Sequence, residues 1–118
     1  MHLIIDGYVT DPKKIEEKEF IYNFLDTYPP QIKMTKVSVP QVSEHNIPKN
    51  EEEGISGFVL LAESHISIHV YPERSYVNLD IFSCREFDVA QATRALEQQF
   101  GLTNITVHTL DRPHPELV

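Results

Sequence analysis

The sequence predicts an α+β fold: a two-layer sandwich whose single, mainly antiparallel sheet carries two helices on one face. Two stretches hold apolar residues at helical spacing. Several short runs alternate or are wholly apolar, and they gather in the middle of the chain instead of alternating with helices as a parallel sheet would require.

His2-Leu3-Ile4-Ile5-Asp6 reads as a short apolar strand. Asp11-Pro12 offers an N-cap followed by proline at the first helical position. Phe20, Ile21, Phe24, Leu25 and Tyr28 then recur at helical spacing, so 12–27 is expected to be an amphipathic helix ended by Pro29-Pro30. Residues 32–42 alternate like a strand that Pro40 confines to an edge or an end. The polar, acidic segment 43–53 reads as a surface loop. Phe58–Ala62, Ile66–Tyr71 and Tyr76–Phe82 form three central strands, the last two joined by a turn at Pro72-Glu73-Arg74-Ser75. Asp88-Val89-Ala90-Gln91 is a capping-box pattern. Val89, Ala92, Thr93, Leu96 and Phe100 mark one helical face, with Gly101 where a C′ glycine belongs. Residues 104–110 make a last strand, and Pro113 and Pro115 keep the tail irregular. The order β-α-β-β-β-β-α-β leaves one sheet face without helices. A second copy of so short a chain covers that face economically, so a homodimer is expected.

Length and composition bound the function classes. A chain of 118 residues with 41% hydrophobic content suits a single soluble domain. No apolar run approaches the roughly 20 residues of a membrane span, and the first residues lack the pattern of a signal peptide. One cysteine excludes an internal disulfide framework and suits a reducing cytoplasm. The formal net charge of −8 argues against a nucleic-acid partner, which demands a basic face. It favours a cationic small molecule only mildly, because solubility alone accounts for such a charge.

Chemistry-bearing residues concentrate at 56–84. His65 and His69 are four apart, which on a helix suggests a metal pair. On a strand that spacing spans about 13 Å, too far for one zinc, and no metal is expected. Ser64 lacks the glycine-flanked elbow of a hydrolase serine. A turn centred near Arg74 places Cys84 opposite the neighbourhood of Ser64. A turn at Glu63-Ser64 sets Ser56 and Phe58 alongside Tyr71 and His69. Three neighbouring strands thus gather Ser56, Ser64, His69 and Cys84, the hydroxyl, imidazole and thiol groups of covalent catalysis. A lone cysteine is more often a small buried hydrophobe and a lone strand histidine a satisfied core residue, so these residue types alone leave both readings open.

Gly54-Ile55-Ser56-Gly57, then Leu61-Ala62-Glu63-Ser64-His65-Ile66-Ser67-Ile68-His69 with Tyr71-Pro72-Glu73, then Asp80-Ile81-Phe82-Ser83-Cys84, resemble the core of the small prokaryotic S-adenosylmethionine decarboxylases. The opening His2–Asp6 is similar to that family's first strand. The resemblance implies a proenzyme that cleaves itself between Glu63 and Ser64, giving residues 1–63 and 64–118. Ser64 then becomes a pyruvoyl group that takes the substrate amine as a Schiff base and acts as the electron sink. It also implies that His69 transfers a proton in processing, that Ser56 assists, that Cys84 is the proton donor in decarboxylation and that Glu73 contacts substrate.

Two positions depart from the family pattern. Asn50 stands where an adenine-stacking aromatic is usual, and Arg85 replaces the glycine after the cysteine. Some relatives decarboxylate arginine or ornithine, and the run Asn50-Glu51-Glu52-Glu53 could pair with a guanidinium or ammonium. A non-processing α/β binding module is the reading from another class. On a straight strand Ser64 and His69 lie roughly 16 Å apart and on opposite faces, so direct contact needs a bend at 64–66 or a histidine from a partner chain.

Overall fold

The computed structural model describes residues 1–113 and 115. Six strands form one sheet: β1 (His2–Val9), β2 (Gln41–Asn46), β3 (Glu53–Leu61), β4 (Ser64–Tyr71), β5 (Tyr76–Ser83) and β6 (Leu102–Leu110). Their spatial order is β2-β3-β4-β5-β1-β6, and every neighbouring pair is antiparallel. Helices α1 (Lys18–Thr27) and α2 (Val89–Phe100) pack on one face. The expected element order is borne out, and so is the two-layer sandwich.

Alternation along each strand divides the sheet into two unlike faces. Leu3, Ile5, Ile55, Val59, Ile66, Ile68, Val70, Val77, Leu79 and Ile81 are all buried beneath the helices. The helices answer with Ile21, Phe24 and Leu25 from α1 and Ala92, Leu96 and Phe100 from α2. Phe24 and Phe100 meet edge to face at 4.8 Å between ring centroids, which locks the two helices together above the sheet. Asp88 caps α2 by accepting the Gln91 N–H at 3.0 Å, and Gly101 ends it in the left-handed conformation at φ 63°.

The structure corrects the sequence reading in the first half of the chain. The helix expected over 12–27 is broken. A 3-10 turn at Lys14–Glu16 buries Ile15, Glu17 is extended, and α1 starts at Lys18. Asp11 accepts the Lys13 N–H at 3.2 Å, so it caps a local turn instead of the helix. Of the strand expected at 32–42, only Gln41 and Val42 are strand, as the start of β2; before them there is a single bridge between Lys36 and Leu61, and Val37 and Val39 are exposed. Part of the loop expected at 43–53 is instead β2, the edge strand. It is almost wholly exposed, so no apolar alternation announces it. Lying outside β3, it is the edge of the sheet, and only Val42, on the side toward α1, packs against the core. The end of the expected irregular tail, His114 and residues 116–118, lies outside the described residues. Among the described residues no helix is long and apolar enough to cross a membrane.

Candidate active site

Strands β3 and β4 meet in a hairpin whose two turn residues are Ala62 and Glu63, with Leu61 paired to Ser64. Ser64 has φ 152°, a region that side-chain-bearing residues seldom occupy and that costs of order 1–3 kcal/mol. The peptide before it is held from several sides. The Glu63 carbonyl accepts the Cys84 backbone N–H at 2.7 Å. One Glu63 carboxylate oxygen accepts the Thr35 N–H at 3.0 Å, and Arg85 Nε lies 3.9 Å from the other. Arg85 also donates to the Lys33 carbonyl. Arg85 therefore ties Glu63 to the segment after α1.

On β5 the partner of Ser64 is Ser83, one residue short of the expected Cys84. Cys84 follows directly, half-buried, and reaches the hairpin through its backbone. The second register also shifts. Ser56 lies opposite His69 and Phe58 opposite Ser67, whereas Ser56 had been expected beside Tyr71. The cause is the hairpin, which turns at Ala62-Glu63 and leaves Ser64 as the first residue of β4.

The unhelixed face carries a second polar centre. Ser56 Oγ is 2.8 Å from His69 Nδ1 and 2.8 Å from His45 Nε2, so one hydroxyl joins imidazoles from β2 and β4. Ser43, Ser56, Phe58, Ser67 and His69 line a cavity of about 250 Å³ there. Strand β4 is paired to β3 over Ser64–Val70 and to β5 over Ser64–Tyr71, without a bulge. The five-residue separation of Ser64 and His69 therefore stands, at roughly 16 Å. Glu73 is exposed in the 3-10 turn Pro72–Arg74, at the end of β4 opposite to Ser64. The chain thus brings Ser64 and Cys84 together at one end of the sheet and Ser56 and His69 together elsewhere, and does not unite the two groups.

His65, next to Ser64, packs edge-on against Phe82 at 5.5 Å, and Arg112 lies over the same ring at 4.3 Å. Burial holds the His65 imidazole below its ordinary pKa, and the neighbouring His2 adds to that effect; Asp80 opposes it. Glu52 grips Arg74 with two bonds of 2.8 Å. The acidic run does hold a guanidinium, but one from this chain.

Sequence reasoning missed His45, because its strand looked like a loop. It also missed the Cys84 N–H, a backbone group that no residue type reveals.

The family model for S-adenosylmethionine decarboxylase matches residues 1–113. A relative from Archaeoglobus fulgidus, an S-adenosylmethionine decarboxylase proenzyme, is 32% identical over 94% of this chain and 95% of its own length. A proenzyme of the same name from Prochlorococcus marinus is 30% identical over 97% of this chain and 87% of its own length. The crystal structure of the adenosylmethionine decarboxylase from Aquifex aeolicus superposes with a TM-score of 0.73 at 30% identity, covering 99% of this chain and 92% of that one. With its hairpin serine, its sandwich and matches that run nearly end to end, the chain belongs to the S-adenosylmethionine decarboxylase family.

Proposed function

We propose that the chain cleaves itself between Glu63 and Ser64 and then decarboxylates S-adenosylmethionine, yielding an aminopropyl donor for polyamine synthesis in the cytoplasm. The observation that carries this reading is the Glu63 carbonyl, fixed by the Cys84 N–H next to a strained Ser64. Attack of Ser64 Oγ on that carbonyl carbon places negative charge on the carbonyl oxygen, where the N–H already points. Collapse breaks the Glu63–Ser64 amide and leaves an ester. Loss of the Ser64 Cα proton then expels the Glu63 carboxylate and leaves dehydroalanine. Water converts this to a pyruvoyl group and ammonia. The residues fit that group, since Ser64 stands half-exposed at a hairpin end, where a new terminus can form without tearing the sheet.

Once formed, the pyruvoyl group supplies an electron sink for loss of the substrate carboxylate. Cys84, beside the hairpin, is the proton donor to the carbon that loses it. The base for the Ser64 Cα proton is His69, and Ser56 holds its Nδ1. Because β4 keeps the two residues of one chain apart, we assign this His69 to a partner copy packed on the unhelixed face. Glu73 contacts substrate on the same grounds. That face exposes Tyr8, Phe58, Leu60 and Leu110, large apolar side chains that a second copy would cover. The engagement of Glu52 with Arg74 weighs against a free guanidinium or ammonium as the group this loop recognises.

Intact mass under denaturing conditions tests the cleavage. Two fragments, 1–63 and a ketone-blocked 64–118, are expected, and Ser64→Ala or His69→Ala should leave one chain. An unbroken chain after long incubation overturns the reading. Carbon dioxide release should follow addition of S-adenosylmethionine; release only from arginine or ornithine overturns the substrate.

A further inference from the structure

We propose that His45 is a positioning residue that sets the tautomer of His69 through Ser56; the inference rests on the reading of His69 as the processing base. The Ser56 hydroxyl lies 2.8 Å from an imidazole nitrogen on either side, His45 Nε2 and His69 Nδ1. It has one proton to donate, so both bonds form only if one imidazole donates while the other accepts.

The proton count then fixes the direction. His69 Nδ1 is engaged by Ser56, which leaves Nε2 as the nitrogen free to take a proton. A neutral imidazole carries one N–H, so an unprotonated Nε2 requires the hydrogen on Nδ1. His69 Nδ1–H therefore donates to Ser56 Oγ, Ser56 O–H donates to His45 Nε2, and His45 carries its own hydrogen on Nδ1. Reversing the chain, with His45 donating to Ser56 and Ser56 donating to His69, puts the hydrogen on His69 Nε2 and removes the base. An acceptor at His45 Nε2 selects the working arrangement.

The backbone is shaped for this contact. His45 lies opposite Gly54 on β3. A Cβ added at Gly54 would sit 2.8 Å from His45 Cε1 and 3.3 Å from both ring nitrogens, so the imidazole lies across the glycine to reach Ser56. Gly54 has no left-handed φ that would otherwise explain it. The glycine is there for the ring.

The test compares four variants for rate of self-cleavage, read by mass, and for the His69 tautomer, read by ¹⁵N imidazole shifts in a Ser64→Ala background. His45→Gln keeps an acceptor and should cleave within about threefold of the parent. His45→Leu has none and should slow cleavage about tenfold, as should Gly54→Ala, which displaces the ring without removing a polar group. His45→Lys offers only donors and should slow it about a hundredfold, short of the roughly 10⁴-fold cost of a wrong tautomer at a catalytic histidine. The parent should show His69 with Nδ1–H, and His45→Lys should move it to Nε2–H. Equal rates for the Gln, Leu and Lys variants, or His69 carrying Nε2–H in the parent, overturn the proposal. Cleavage that survives His69→Ala defeats the reading of the base itself; cleavage that needs His69 but ignores His45 defeats this inference alone.

Discussion

Toward the helices, β3, β4 and β5 present Ile55, Val59, Ile66, Ile68, Val77, Leu79 and Ile81, none more than 1% exposed. Toward the other side the same three strands present Ser56, Phe58, Leu60, His65, Ser67, His69, Asn78 and Asp80, none of them buried. Each strand therefore does two jobs on alternate residues. The aliphatic face supplies folding free energy, at about 25 cal/mol per Å² of apolar surface removed from water. The other face carries the polar side chains and exposed apolar residues on which the proposed chemistry and assembly rest. Rigid packing on one side holds the hydroxyl and imidazoles of the other in register, because consecutive Cβ atoms share one backbone.

Three substitutions probe that division. The largest expected effect lies on the helix side: Phe24→Ala empties the contact with Phe100 and Tyr28 and should lower unfolding free energy by about 3–5 kcal/mol in denaturant titration. Self-cleavage would fall with the folded fraction. On the opposite face Phe58→Glu should leave the far-UV spectrum unchanged. It should halve the mass seen in sedimentation and slow cleavage by about 10²-fold or more, the contribution of a lost general base. A variant that stayed dimeric with full cleavage would place the partner elsewhere. The smallest effect is a gain. Among the described residues the buried Tyr28 hydroxyl has no hydrogen-bond partner, and its burial pushes its pKa up to about 12. Tyr28→Phe removes an unsatisfied polar atom and should raise stability by about 1 kcal/mol, with cleavage untouched. A loss of stability instead would show that the hydroxyl is satisfied.

Much of this was legible before the structure. Alternation over 66–71 and 76–82 located β4 and β5, and Asp88 with Gly101 bounded α2, because burial period and caps are local properties of sequence. The motif run at 54–84 named Ser56, Ser64, His69 and Cys84. The illegible parts had no local signal. Strand β2 is polar because it is an edge, and the extended Glu17 that splits the first helix lies beside a turn made to bury Ile15.

By itself, then, the sequence determined the fold class, which follows from periodicity along the chain, and the family, which follows from the resemblance of the run at 54–84. Tertiary structure decided the register. It put Ser56 opposite His69, seated His45 across Gly54 and brought the Cys84 N–H to the Glu63 carbonyl. Those pairings depend on where a hairpin turns and which strands become neighbours, and a shift of one residue moves a side chain to the other face of the sheet.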